Sequence, residues 1–513
     1  MASLFIFFLL SLFSLLPFSF SEPKGVSIDC GAVADSVVEG RRWFTDESYV
    51  TGGTSKNVTV PVTVPILSTV RSFPLENNLN NKFCYTIRVY RGARYMVRST
   101  YFYGGINGRD TPPVFDQILD GTLWTVVNTT TDYANGVSTY YEGVFLAQTN
   151  VMTFCIGVNT YTDSDPFISS LEFIILGDSL YNSTDFQNYG LHLAARNSFG
   201  YNGPSIRYPD DEFDRIWVPF GENNHTLATK NVSVSGFWNL PPLKVFQTEL
   251  TTSDQTQPLE FNWPLMSLPD AKYYIALYFA DGSDSAENLR VINVTINGVP
   301  YYRDLKVTQA GVAVFATRWP LHGTTKISLT SSAGSNLGPF INAGEVLALL
   351  PIEGRTVTRD VIALKKFKDS LKNPPRGWNG DPCLPRQYTW TGITCSEGPR
   401  FRVLTLNLTG MDLSGTLPSG IGGMTALNGI WLGNNRLSGP IPDLSSLKRL
   451  DILHLEDNQF TGEIPSSLGL IESLRELFLQ NNNLTGQIPS SLNGKPGLDL
   501  RVSGNQLSSP PPS

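Results

Sequence analysis

Residues 429–442 read GIWLGNNRLSGPIP, residues 452–465 ILHLEDNQFTGEIP, and residues 476–489 ELFLQNNNLTGQIP. The asparagines Asn435, Asn458, Asn482 and Asn505 return at intervals of 23, 24 and 23 residues. Such a repeat, with leucines at fixed offsets, builds a solenoid, because one unit alone cannot bury its apolar edge and stacked units can. Each repeated asparagine stands where it can bond backbone groups at the turn after a strand, giving a ladder down the stack. An opening unit at Val403–Pro418 keeps the period with Met411 in the asparagine position, so the repeats run over 401–508. Residues between the strand leucines project onto one face: Asn407, Trp431, His454, Phe478 and Arg501, with Glu456 and Gln480 beside them. Exposed aromatics in a column with an arginine make a candidate contact strip for a peptide or protein. The competing reading is that the repeats only space the rest of the chain and bury that face against it.

Upstream, the period changes. RDVIALKKFKDSL at 359–371 places Val361, Ile362, Leu364, Phe367 and Leu371 at helical spacing and ends before Asn373-Pro374-Pro375. A loop-rich stretch holding Cys383 and Cys395 follows, a place where a disulfide replaces missing core. Helix and loop form a cap over 358–400. Further upstream, runs such as YTIRVY, GVFLAQ, VMTFCIGV, YYIALYFAD and VLALLPI alternate with Gly, Asn, Asp and Pro. This pattern reads as antiparallel strands in sandwiches or jelly rolls. The stretch is too long for one, so two are expected, over 26–185 and 195–352, with the boundary in polar sequence between Asp178 and Arg207. Cys84 and Cys155 each lie in a strand-like run and are the favoured second pair. Cys30 shares the region, and spacing alone leaves the pairing open.

Met1–Phe20, MASLFIFFLLSLFSLLPFSF, has the apolar core of a signal peptide, assigned to 1–21, with no basic residue before it. An uncleaved anchor is the alternative. Asn-X-Ser/Thr sequons at Asn57, Asn128, Asn182, Asn224, Asn231, Asn293, Asn407 and Asn483 are too many to dismiss as chance, and with a leader they imply a secreted glycoprotein. A net charge of −7 works against phosphate backbones and anionic membranes, so no nucleic-acid partner is expected. The tail 509–513, SPPPS, is proline-rich and lacks the apolar character of a lipid-anchor signal.

These residues resemble known families. The repeats with L-x-G-x-I-P look like plant-specific leucine-rich repeats. ALKKFKDSLKNPPRGWNGDPCLPRQYTWTGITCS at 363–396 resembles the GDPC-type cap that joins malectin-like ectodomains to such repeats in plant receptor kinases. SIDCG at 27–31, RYMVRSTYFYGGINGRDTPPVFDQILDGTLWTVV at 94–127, DPFISSLEFIILGDSLY at 165–181, YNGPSIRYPDDEFDRIW at 201–217 and YYIALYFAD at 273–281 look like a plant malectin-like domain. The resemblance implies a mainly β chain: two tandem malectin-like β-sandwiches, jelly-roll-like, then a short leucine-rich-repeat solenoid. It also implies a receptor-like protein, secreted, extracellular or in the cell wall. Receptor kinases of this type continue into a membrane helix and a kinase, whose glycine-rich loop, HRD and DFG motifs do not appear in these residues, so a soluble or wall-retained relative is one expectation and a truncated ectodomain the other. An extracellular peptide or protein is the expected partner, a receptor kinase among the candidates, and a cell-wall glycan is the other ligand class.

Sugar binding needs aromatic faces and a carboxylate. Tyr101, Phe102, Tyr103 and Trp124 in the first half, and Tyr278, Phe279 and Asp281 in the second, are the candidates, although alternate strand aromatics are usually core. A structural cell-wall glycoprotein is the passive alternative. Gly177-Asp178-Ser179-Leu180 spells an esterase block, with Asp451 and His454 as its only D-x-x-H, but His454 belongs to the repeats. The four histidines, His192, His225, His322 and His454, lack ligand spacing, and Asp281, Asp284 and Glu287 match no EF-hand pattern. No metal, cofactor or enzymatic activity is expected. The acidic cluster Asp210, Asp211, Glu212 and Asp214, beside Arg207 and Arg215, reads as a solvated, ion-paired turn.

Overall fold

The computed structural model describes residues 22–75, 81–221, 232, 236–252, 256–282 and 290–508. The signal peptide, Asn224, His225, Asn231, Asp284, Glu287 and the proline-rich tail lie outside the described residues. No described helix is long and apolar enough to cross a membrane.

The fold is mainly β, as the alternating runs require. In the first half, a four-stranded sheet of Lys82–Arg88, Val151–Gly157, Phe115–Leu119 and Thr122–Val127 packs over part of an eleven-stranded sheet. Tyr85, Ile87, Phe154, Tyr95 and Val97 fill the space between. In the second half, Leu259–Asn262, Lys326–Ser331, Arg290–Ile296 and Val299–Val307 form the matching small sheet, closing a core of Trp263, Ile275, Ile292, Val294 and Leu329.

The two sandwiches share the large sheet. The polar stretch read as a boundary contains the strand Tyr189–Phe199, which pairs with Thr139–Leu146 on one side and Ala343–Pro351 on the other. Of its polar residues, His192 and Asn197 accept from Trp124 and Trp263 of the two cores, and Arg196 belongs to a buried network on the opposite sheet face. There, Glu172, Arg98, Glu142, Arg196 and Glu345 alternate in sign along five neighbouring strands. Arg98 donates to Glu142 at 2.8 Å and Asp214 at 2.9 Å, and Arg196 donates to Glu142 at 2.6 Å and Glu345 at 2.8 Å. Arg41 and Arg207 also bind Asp214, giving four guanidiniums and four carboxylates in one balanced set.

Asp211 and Asp214 are therefore buried, contrary to the solvated turn expected from sequence. Charges this deep persist only when paired and hydrogen-bonded. Asp211 accepts from Arg215 Nε at 3.0 Å and Trp217 Nε1 at 2.9 Å, and the surrounding arginines hold the carboxyl of Glu142 below its usual range against the opposing effect of burial.

Disulfides join Cys84 to Cys155 and Cys383 to Cys395, and Cys30 is buried and free. The cap helix spans Thr358–Ser370. Of the expected stripe, Leu364, Phe367 and Leu371 are buried, Val361 is half-buried and Ile362 is exposed, and Asp360 and Ala363 complete the buried face. Asp360 points inward because it accepts from Arg402 Nε at 2.8 Å and Val403 N at 3.0 Å. Trp378 stacks on Trp390 with centroids 4.9 Å apart.

The cap is fastened to the first sandwich. Lys82 donates to the carbonyls of Asp381 at 2.6 Å and Leu384 at 2.8 Å, and Tyr388 donates to Asp116 at 2.7 Å. Gly380, at φ +62°, lies against the Cys84–Cys155 bridge so closely that a Cβ would sit 3.0 Å from either sulfur. That contact explains the glycine of the GDPC segment.

Candidate functional site

In the solenoid, Val403–Asn407, Gly429–Trp431, Ile452–His454, Glu476–Phe478 and Asp499–Arg501 pair in parallel. Each strand alternates, so Leu406, Ile430, Leu453 and Leu477 point into the stack and are fully buried. The residues after them form a register-aligned column on the outer face: Asn407, Trp431, His454, Phe478 and Arg501. The turn after each strand is locked as the period implied. Asn458 Nδ2 donates to Leu432 O at 2.8 Å and Glu456 O at 3.0 Å, while its Oδ1 accepts from Leu437 N at 2.9 Å. Asn435, Asn482 and Asn505 repeat the arrangement.

The column is one continuous stack. His454 lies flat on Phe478 with ring centroids 4.1 Å apart, Trp431 meets His454 edge-on at 6.2 Å, and the Arg501 guanidinium sits 3.9 Å from the Phe478 centroid. Glu476 holds His454 Nε2 at 2.9 Å, and Asp499 pairs with Arg501 at 2.7 Å. Trp431, His454 and Phe478 are half-buried, whereas Asn407 and Arg501 are exposed. Glu456 Oε2 and Gln480 Oε1, two residues beyond His454 and Phe478, are covered and lack a hydrogen-bond partner. A stack of this kind offers π faces for apolar or cationic side chains, and the two acceptors suit an N–H donor.

Two glycines missed in the sequence shape this face. The Trp431 ring folds over Gly429, and the Glu456 carboxylate over Gly433; either side chain would be displaced by a Cβ. The signal was present as small residues two positions either side of the tryptophan.

The sugar candidates lie elsewhere, inside the sandwiches. Tyr101, Phe102, Tyr103, Trp124, Tyr278, Phe279 and Asp281 are all buried. Tyr101 packs edge-on against Phe115 and Phe167 and donates to Gln117 at 2.9 Å. Trp124 Nε1 donates to His192 at 2.8 Å, Tyr278 to Glu345 at 2.7 Å, and Asp281 pairs with Arg290 at 3.0 Å. Their alternation on strands places them in core, so no face is open for a sugar ring. This corrects the expectation drawn from their residue types.

Asn57, Asn128, Asn182, Asn407 and Asn483 are exposed, and Asn293 is half-buried with its Oδ1 accepting from Asp304 N. Ser179 of the esterase-like block lies in the body, and the His454 that it would need is engaged with Glu476 in the solenoid. Among the described residues no group of three or more His, Cys, Asp or Glu is placed to hold a metal ion.

A continuous, mainly β body bolted through a disulfide cap to a repeat solenoid defines the class: a malectin-like and leucine-rich-repeat ectodomain fold. Residues 28–349 match the malectin-like domain model, residues 357–396 the leucine rich repeat N-terminal domain, and residues 449–470 and 473–494 the leucine rich repeat. The chain belongs to the malectin-like domain family. A leucine-rich repeat receptor-like serine/threonine-protein kinase of Arabidopsis thaliana is 31% identical over 425 residues, covering 78% of this chain and 47% of the kinase. A second LRR receptor-like kinase from that plant is 32% identical over 488 residues, covering 87% of this chain and 50% of its own. The chain thus spans about half the length of the curated relatives it matches. Among solved structures, the ANX2 ectodomain of Arabidopsis thaliana superposes with a TM-score of 0.53 at 15% identity over 64% of this chain and 97% of that one. A chain from the complex of the plant peptide RALF23 with FER and LLG2 gives a TM-score of 0.51 at 14% identity, over 64% and 96%.

Proposed function

We propose that this protein works outside the cell as a receptor-like recognition protein, and that the outer column of the solenoid takes a peptide or protein segment. The observation that carries the reading is the stack Trp431–His454–Phe478–Arg501, bordered by two acceptors without partners. Preformed aromatic and arginine anchors are the usual carriers of binding energy at protein contacts. Kinship with receptor-like kinases, and the fold likeness to a receptor solved with a plant peptide, support the same reading. The work is binding rather than catalysis, and a kinase-bearing partner would pass the signal on. A glycan at Asn407 would sit at the first position of the column and set one end of the footprint.

The test is capture of extracellular peptides and proteins by the glycosylated protein, repeated with Trp431→Ala and Phe478→Ala. A specific partner bound by the wild type and lost from both variants, with unchanged melting temperature, is the expected result. A partner retained at equal affinity by both would remove the column from the reading. A glycan array addresses the carbohydrate class, for which no expectation of binding remains in the buried aromatics.

A further inference from the structure

Where the small sheet of the first sandwich, the segment after Ala343–Pro351 and the cap converge, a cavity of about 320 Å³ remains. Its walls are mostly apolar, from Leu119, Phe145, Met152, Phe186, Ile352 and Val361, with Asp120 and Asp381 also in the lining. A polar chamber of about 530 Å³ adjoins it and shares Gln148, Ile352, Gly354, Arg355 and Thr358. Arg91, Arg355 and Arg400 line this chamber, with Glu353 the single acid among them.

The fold does not account for these arginines. Arg355 and Arg400 are register partners on the short parallel pair Arg355–Thr356 and Arg400–Phe401, and like charges set opposite each other destabilise a sheet. Among the described residues, none of the three makes an ion pair or a side-chain hydrogen bond. The carboxylates nearby are already engaged. Asp381 accepts from the backbone and hydroxyl of Thr356 and from the backbone N–H groups of Cys383 and Leu384. Asp120 accepts from Thr153 N at 2.7 Å and is the acid whose charge Arg355 feels. What is left is a mostly apolar cavity, whose two acids are already hydrogen-bonded, adjoining a chamber in which three arginines meet the single acid Glu353.

We propose that cavity and chamber form one site for the C-terminus of an extracellular peptide. The last side chain, large and apolar, fills the cavity, and the α-carboxylate lies among Arg91, Arg355 and Arg400. Gln148, Gln187 and Asn188 meet the preceding backbone amides. The cavity is large enough for the bulkiest apolar side chain, and guanidinium groups take carboxylates by paired, charge-assisted hydrogen bonds. A peptide is chosen over a lone organic acid because the amide-lined chamber is larger than the apolar cavity and leaves room for a chain to continue outward. The site lies apart from the solenoid column, so the two readings stand or fall separately.

Calorimetric titration of the full chain with acetylated Gly-Ser-Gly-X peptides, X being Phe, Leu or Trp, tests it. At least one free acid is expected to bind, and its C-terminal amide and the X = Ala acid to bind about tenfold more weakly or worse. Val361→Trp, which fills the cavity from the cap helix, and Arg355→Ala should abolish binding. Exposed Arg400→Ala, which removes only a rim charge, should weaken it with the melting temperature unchanged, and Trp431→Ala should leave it intact. The proposal is overturned if no acid binds, if acid and amide bind equally, or if Arg355→Ala and Arg400→Ala change nothing. Equal affinity for 3-phenylpropanoate and the Phe peptide would overturn the peptide assignment in favour of a small organic acid.

Discussion

The body and the solenoid each carry a ladder of buried polar side chains, and the two are built on opposite principles. In the body, Glu172, Arg98, Glu142, Arg196 and Glu345 cross five strands of the shared sheet with alternating charge. In the solenoid, neutral Asn435, Asn458, Asn482 and Asn505 repeat one set of backbone bonds. The ionic ladder depends on completeness, because each charge is compensated only by its neighbours. The amide ladder is modular, since each rung serves its own turn and the one beside it. A sheet shared by two halves is thus held in register by a set that tolerates no gap, while the repeats tolerate local variation, as Met411 in the asparagine position shows.

The sharpest way to break the contrast is to remove one member from each ladder. Arg196→Met should cost about 3–5 kcal/mol, since Glu345 is left buried without its ion-pair partner and Glu142 keeps only Arg98; calorimetric unfolding would show it, and a loss under 1 kcal/mol would contradict the ladder. Asn458→Ala should cost about 1–3 kcal/mol and be read most clearly in the solenoid by hydrogen exchange at Leu437.

The cap gives a smaller, pH-dependent effect. Burial pushes the Lys82 ammonium down to about 7 from its ordinary 10.5. The unfolded chain then binds more protons between these values, so the contribution of Lys82 to stability is present at high pH and is lost as pH falls through 7. From pH 7 to 9 the wild type should gain on Lys82→Gln by up to about 1 kcal/mol per pH unit, measured as the difference in melting temperature. The smallest change expected is that of Trp431→Ala, within about 0.5 kcal/mol in denaturant titrations. A larger loss would make the column part of the scaffold rather than a free contact surface.

The two ladders also differ in how far they can be read from residues alone. The asparagine ladder is visible because its members share a period, and the column beside it follows from the same offsets. The ionic ladder has no such trace. Arg196 and Glu345 are 149 positions apart, and Asp211 and Asp214 look like ordinary surface acids until Arg98, Arg41 and Trp217 are brought onto them. For the same reason the strand Tyr189–Phe199 passes for a boundary, because Arg196, His192 and Asn197 are engaged by groups from distant strands. The sugar candidates mislead through the opposite ambiguity: alternate aromatics on a strand look alike whether they face solvent or core, and Tyr101 and Tyr278 prove to be core. The cavity between body and cap depends on segments far apart in the chain, and no local pattern announces it.

Gly380 rests directly on the sulfurs of Cys84 and Cys155, which are themselves almost wholly covered. A thiol must approach one of those sulfurs to open the bond, so its access is gated by the lifting of the cap. The time course of reduction by a mild thiol therefore serves as a clock for undocking, reporting how often the repeats come loose from the body long before either part unfolds.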